Sequence, residues 1–203
     1  MFDDPPNHEH FLRLTFQLAE RLLAEGVHPF AALLVDTDGR VLMEQGNAYL
    51  PEQDMTGHAE RVIMTRASKA FSPRHLSGCT LYTSAEPCAM CAGAAYWAGV
   101  GRVVYGLSEK RLKGLTGAHP ENPTLDLPCR RVFESGQRSV AVIGPLPVPY
   151  PHLTLPTNRQ VSFSVFPVSF QQHHYSNQLA QCVSYPKLSL LTSLSLPQHT
   201  LRL

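Results

Sequence analysis

The sequence contains no run of about 18 apolar residues, so nothing in it is expected to span a membrane. Its first ten residues, MFDDPPNHEH, carry neither the basic nor the apolar region of an export leader. Five cysteines is an odd count, and two of them form a C-x-x-C. With no export signal read, the expectation is a reducing cytoplasm, with thiols kept for metal or redox work rather than for a disulfide frame. Acidic residues stop at Glu134: all 16 lie at or before it. Of the 17 Lys and Arg, only Arg159, Lys187 and Arg202 lie beyond residue 147, which leaves 14 against those 16 acids in residues 1–147. A front part so balanced offers no basic footprint for a nucleic acid.

What is present is enough for one α/β domain and an appendage. Phe11, Leu14, Leu18 and Leu22 make one helical face, with Gly26 as its stop. PFAALLVD, residues 29–36, is an apolar run of strand length; DTDGR supplies a turn and VLMEQGN returns as a second strand. A polar loop follows to about Met55, then a helix from Gly57 to Ala70 that SPRHLSG breaks. CTLYTS reads as a third strand, and Pro87 suits the first turn of a helix running to about Ala98. RVVYG is a fourth strand, followed by a short helix near Glu109; CRRVFESG reads as helix and SVAVIG as a fifth strand. This alternation predicts a three-layer α-β-α sandwich around a central five-stranded mixed sheet. The domain is expected over residues 1–147. Residues 148–203, rich in Ser, Leu, Pro and Gln, are expected to be a tail without a fold of its own, a fused or out-of-frame segment, with SVFPVSF its one strand-like stretch.

The chemistry concentrates in TGHAE, residues 56–60, and EPCAMC, residues 86–91. His58, Cys88 and Cys91 offer one nitrogen and two thiolates, the three protein ligands of a catalytic zinc that keeps a fourth position for water. Cys88 and Cys91 share a helix face, at a helix start where the dipole favours a thiolate. Glu60, two residues from His58, is placed to touch the attacking water and carry its proton to a leaving nitrogen. H-x-E together with P-C-x-x-C is the known signature of zinc deaminases. Two readings compete: a redox C-x-x-C, and a structural four-ligand zinc site completed by Cys79 or Cys129. Cys129, after Pro128 at a helix start, is either reactive or packed. HHY at 173–175 resembles a metal tract by composition alone.

At these residues the chain resembles the cytidine/deoxycytidylate deaminase superfamily, over about residues 8–147. HPFAALLVD, TGHAE and LYTSAEPCAMCAGAAYWA look most like bacterial guanine deaminases; CAGA followed by GRVVYG is also similar to tRNA adenosine deaminases. Tyr96–Ala98 and the lack of a basic C-terminal helix favour the first branch. The resemblance implies a cytidine deaminase-like fold, Zn2+, hydrolytic deamination of a purine base or nucleoside, and a homodimer. It also implies substrate contacts from Asn47, Phe30, Ala59 and Trp97: an amide that reads a purine edge, aromatic walls and a backbone N–H at a helix start. A tRNA adenosine deaminase and a non-catalytic zinc-stabilised module are the alternatives. The guanine deaminases' acidic segment after the fourth strand has no clear counterpart here. Glu121 and Asp126 are substitutes for it, or solvated loop acids.

Overall fold

The computed structural model describes residues 7–116 and 125–147. The tail at 148–203, the histidine tract at 173–175 and Glu121 lie outside them. Helix α1 (His8–Ala24) leads into strands β1 (Ala31–Val35) and β2 (Val41–Gly46), then the short α2 (Tyr49–Glu52) and α3 (Ala59–Ala70). Next come α4 (Pro73–Leu76), β3 (Thr80–Ala85), α5 (Ala89–Ala98), β4 (Arg102–Leu107), α6 (Glu109–Thr116), α7 (Cys129–Glu134) and β5 (Ala141–Ile143). The sheet order is β2-β1-β3-β4-β5. β2, β1 and β3 are antiparallel neighbours, whereas β3, β4 and β5 run parallel, so the sheet is mixed as the element order predicts.

The period-two alternation of the strands divides the interior. Ala32, Leu34, Leu81, Val103 and Tyr105 face Ile63, Met64 and Ala67 of α3, Ala92 and Ala95 of α5, and Cys129 and Phe133 of α7. Leu33, Val35, Tyr82 and Val104 face Phe11 and Leu12 of α1 on the other side. The result is the three-layer sandwich expected from sequence.

The details differ in four places. The face α1 buries is centred on Phe11, Leu12, Thr15 and Ala19, not on the leucine line. Small residues at the centre let the helix sit close to the sheet, while Leu14 and Leu18 pack at its flank. Leu22 lies over Gly46, where a Cβ would come within 2.6 Å of it. The loop expected to reach Met55 contains α2. The breaker SPRHLSG holds α4, whose cap Ser72 accepts from the His75 N–H, with Pro73 at its first position. Pro87 precedes the cap residue of α5 instead of entering its first turn. Gly26 does end α1, just past its cap at φ +76°.

The far end of α5 is fastened by one side chain. Arg138 donates to the carbonyls of Tyr96 (2.6 Å) and Val100 (2.7 Å), and its guanidinium lies 5.0 Å over the Tyr96 ring. The Tyr96 hydroxyl accepts from the N–H groups of Gln137 and Arg138. Arg138→Ala is expected to lower unfolding free energy by about 2 kcal/mol, from two charge-assisted hydrogen bonds and one cation–π contact. Urea titration checks this; zinc content should not change.

Candidate metal centre and active site

His58 and Cys88 occupy equivalent positions on two different helices. Each is the cap residue, extended in backbone, immediately before the first helical residue: His58 before α3 and Cys88 before α5. Neither makes a side-chain capping hydrogen bond. Cys91 lies three residues into the same start as Cys88, so both sulfurs hang over one turn. α3 and α5 pack side by side through Ile63, Ala67, Ala92 and Ala95 on one face of the sheet. That packing brings the two starts together. The ligand atoms of His58, Cys88 and Cys91 all lie within 4.8 Å of one another. Cys88 Sγ is 3.6 Å from His58 Nδ1.

The donor set and its spacing fit zinc. A tetrahedral zinc with Zn–S of about 2.3 Å and Zn–N of about 2.0–2.1 Å holds neighbouring sulfur and nitrogen about 3.5 Å apart. Among the described residues no fourth His, Cys, Asp or Glu joins this cluster. Cys79 lies under α4, its thiol donating to the His75 carbonyl, and Cys129 is fully buried at the start of α7. Neither completes a structural four-ligand site.

Electrostatics in the metal-free protein order the two thiols. Donation from the Cys91 thiol, and then the His58 ring, pull Cys88 down to about 4. Cys91, donating to that thiolate and buried, is held far above the ordinary thiol range. The Cys88 sulfur in turn raises His58. Burial pushes Cys129 up to about 12, aided by the nearby Glu86 charge, and burial also raises Cys79. Metal-free protein treated with a thiol reagent at pH 6 should therefore react at Cys88 at least tenfold faster than at Cys79 or Cys129. Zinc should suppress that reaction. Peptide mapping that finds Cys129 modified first would contradict this assignment and restore the reactive-thiol reading of Cys129.

Glu60 is the second residue of α3 and only 7% exposed. Burial pushes its carboxyl up to about 7, against the opposing pull of the His58 charge. The Cys91 thiol lies beside it. A carboxyl poised near neutrality can both take and give a proton.

The remaining sequence-derived positions divide. Ala59, fully buried, opens α3 next to the ligands. Asn47 follows β2, is 6% exposed, and accepts through Oδ1 from the Tyr49 N–H at 2.9 Å. Its own N–H donates to the Phe30 carbonyl at 3.0 Å. This segment is tied to the metal ligand by Gly57. The Ala48 N–H donates to the Gly57 carbonyl at 2.7 Å, and a Cβ on Gly57 would meet Asp54, Ala48 and Tyr49 backbone atoms at 2.8–2.9 Å. Only glycine permits that approach. Backbone hydrogen bonds thus link the segment of Phe30 and Asn47 to Gly57, and Ala59 follows the ligand His58 directly. Trp97 does not: it is 86% exposed and nine residues along α5 from Cys88, about 13 Å of helix rise. Asp126 pairs with Lys113 at 3.1 Å on the surface.

Sequence reasoning passed over two carboxylates. Glu86, 7% exposed, accepts through Oε2 from the Glu109 N–H (3.1 Å) and through Oε1 from the Cys129 N–H (3.0 Å). One side chain therefore receives the first residues of α6 and α7, next to the Pro87–Cys88 link. Its signal was legible: a charge between the apolar runs TLYTSA and PCAMCAGAA must find partners. Glu109 is half-buried, and its carboxyl is raised by burial and then by the charges of Cys88 and Glu86.

Two helix starts that present a histidine and two cysteines to one point, with a buried carboxyl beside them, define a zinc-dependent deaminase of the three-layer α/β class. Comparison with known proteins gives the family. The model of the cytidine and deoxycytidylate deaminase zinc-binding region matches residues 5–107, and the chain belongs to that family. It is 38% identical over 135 residues to a probable cytosine deaminase of Schizosaccharomyces pombe, covering 66% of this chain and 82% of that protein. It is 41% identical over 100 residues to the guanine deaminase of Bacillus subtilis, covering 49% and 64%. A tRNA-specific adenosine deaminase of Haemophilus influenzae is 35% identical over 101 residues, covering 50% and 58%. The structure of Bacillus subtilis guanine deaminase superposes with TM-score 0.50 at 27% identity, over 91% of this chain and 99% of that one. NE0047 in complex with 2,6-diaminopurine superposes with TM-score 0.58 at 26% identity, over 70% and 76%. Among the described residues no helix is long and apolar enough to cross a membrane.

Proposed function

We propose that the protein deaminates an amino-bearing purine base or nucleoside, guanine-like in preference, with His58, Cys88 and Cys91 holding the zinc and Glu60 moving the proton. The observation that carries this reading is geometric: the ligand atoms of His58, Cys88 and Cys91 converge within 4.8 Å of one another, and the buried Glu60 opens the same helix start as His58. Zinc, when bound in such a site, makes water a competent nucleophile at neutral pH. Glu60 takes the proton of the attacking water and delivers it to the amino nitrogen, which leaves as ammonia while the carbon gains an oxygen. Asn47 orients the base edge through its amide, Phe30 walls the ring, and the Ala59 N–H at the start of α3 donates to a ring acceptor.

The purine preference is supported by the Tyr96–Ala98 stretch, by the Bacillus subtilis relative and by the 2,6-diaminopurine complex of NE0047. The Schizosaccharomyces pombe relative, matched over the larger share of both chains, favours cytosine as the second reading. Deamination of tRNA adenosine has a relative behind it too, but the balanced charge of residues 1–147 speaks against a polyanionic substrate. The exposed Trp97 suits a homodimer in which that ring is covered by, and helps close, the second copy. A cytoplasmic location accords with the cysteine usage.

The test is ammonia release from guanine, guanosine, adenine, adenosine and cytosine by the zinc-loaded full chain, with light scattering on the same preparation. Release from a purine supports the proposal. Release from cytosine alone replaces the purine reading. No release from any, with zinc present, leaves the non-catalytic zinc module.

A further inference from the structure

Arg61 stands where elementary electrostatics disfavours it. It is the third residue of α3, in the first turn, where the helix dipole repels a cation. Its side chain, 25% exposed, turns back past the helix start. Nε donates to the Thr56 carbonyl at 2.8 Å, and Nη2 pairs with the Asp54 carboxylate. The same Thr56 carbonyl accepts the His58 N–H at 2.7 Å. One oxygen is thus shared between a guanidinium and the backbone of the residue that offers its imidazole to the metal cluster. Asp54 binds the same turn. Its Oδ1 accepts from the Thr56 N–H at 2.8 Å and from the Thr56 hydroxyl at 2.7 Å, and its carbonyl accepts the Gly57 N–H at 2.8 Å.

The turn has little else to hold it. Met55 is 80% exposed and Thr56 is exposed, so no apolar side chain anchors residues 54–56 in the core. Gly57 is tied to Ala48 on one side, and Arg61 holds the other. From Ala59 onward the chain is fixed by the buried face of α3. His58 is the joint between a packed helix and a turn held by hydrogen bonds, so the direction of its side chain depends on both.

We infer that Arg61 is a positioning residue for the zinc ligand His58: it clamps the turn at 54–58 through Thr56 and Asp54 and so fixes where the imidazole stands in the metal-free chain. The inference rests on the assignment of His58 as a ligand and adds to it a residue outside the H-x-E and P-C-x-x-C signatures. A planar fork of donors suits this task, because it meets a carbonyl and a carboxylate at once. Arg61 is not among the clustered ligands; its effect is on metal affinity. Arg66, further along α3, makes bonds of the same kind to the Glu44 carbonyl (3.1 Å) and Gln45 Oε1 (2.7 Å), but these lie on β2 and not on the ligand turn. It is the internal control.

The experiment measures zinc affinity by chelator competition on full-length wild type, Arg61→Leu, Arg66→Leu and His58→Ala, each with a denaturation midpoint for the metal-free protein. Leucine keeps an apolar stem and removes the donors. Loss of a group that orients a metal ligand lowers metal affinity about 10- to 100-fold, and Arg61→Leu is expected to fall that far below both wild type and Arg66→Leu. Arg66→Leu should lose stability and keep its zinc, a pattern that a merely structural arginine at 61 would share. Arg61→Leu within about tenfold of either protein would overturn the clamp. If Arg61→Leu does not fold, Asp54→Asn decides: it keeps the acceptor for Thr56 and removes the charge that Arg61 pairs with. Weaker zinc binding by Asp54→Asn than by wild type then supports the clamp, and equal binding overturns it. His58→Ala separates the two layers. If it binds zinc as tightly as wild type, the ligand assignment fails and the clamp with it. A weak His58→Ala beside an unchanged Arg61→Leu removes the clamp alone.

Discussion

Replacing Glu60 with glutamine is expected to leave zinc bound and to cut turnover by about 10²–10⁴-fold, the usual contribution of a general acid–base. The reasoning starts from burial. Glu60 sits near the start of α3, 7% exposed, beside the Cys91 thiol and the His58 ring. Glutamine has the same shape and can accept a hydrogen bond, but it cannot take a proton. Metal content measured on the same sample separates this loss from loss of the site; full turnover with zinc present would remove Glu60 from the mechanism. A second readout comes from stability. In the metal-free protein the folded carboxyl titrates at about 7, against 4.5 for the free group. The unfolded state thus releases its proton first, and Glu60's contribution to stability declines as pH rises from about 4.5 through 7. Metal-free Glu60→Gln should lack that decline. It should match wild type below pH 4.5 and exceed it by up to about 3 kcal/mol above pH 8. Parallel denaturation curves for the two proteins across this window would show the burial argument to be wrong.

Glu86→Ala is expected to be the most damaging single change to the fold, costing about 3–5 kcal/mol. The carboxylate receives the N–H groups of Glu109 and Cys129, the first residues of two helices, and no water-exposed route replaces a 7% exposed side chain. Each hydrogen bond to a charged group contributes about 1.5–3 kcal/mol, and its removal leaves a donor unpaired. Glu86 is not one of the clustered ligands, and its hydrogen bonds go to two helix starts; it is a positioning residue. Glu86→Gln keeps one acceptor oxygen and should recover roughly half the loss. A denaturant midpoint for Glu86→Ala within experimental error of wild type would refute this role.

Most of the fold could be read from the chain because the strands are short runs of strand length set off by turn residues and separated by helical stretches. AALLV and TLYTSA are buried along their whole length, and their turns carry Gly and Asp where the backbone demands them. The metal centre was legible for another reason: H-x-E and P-C-x-x-C have few uses besides this one. What escaped reading was tertiary. The centre of the α1 face lies on Thr15 and Ala19 because close approach to the sheet favours small side chains over greasy ones, and no periodicity shows that. α2 and α4 are four residues each, too short for a pattern. Trp97, expected at the pocket, projects from the opposite end of its helix within a single copy. The partners of Glu86 lie 23 and 43 residues away, and only the sheet brings them to it.

The two helices that carry the ligands begin without a capping side chain, because the residues in those positions are the ligands. Ordinary helix starts lose about 1 kcal/mol without their cap; here zinc, when bound, would tie the two starts to each other through the ligands that stand in the cap positions. Demetallation is then a folding event as well as a chemical one, and it should loosen residues 59–62 and 89–92 together while the far ends of α3 and α5 stay closed. Amide exchange on the chelated protein would show both starts opening in concert. Protection unchanged at either would mean that the ion merely occupies a scaffold finished without it.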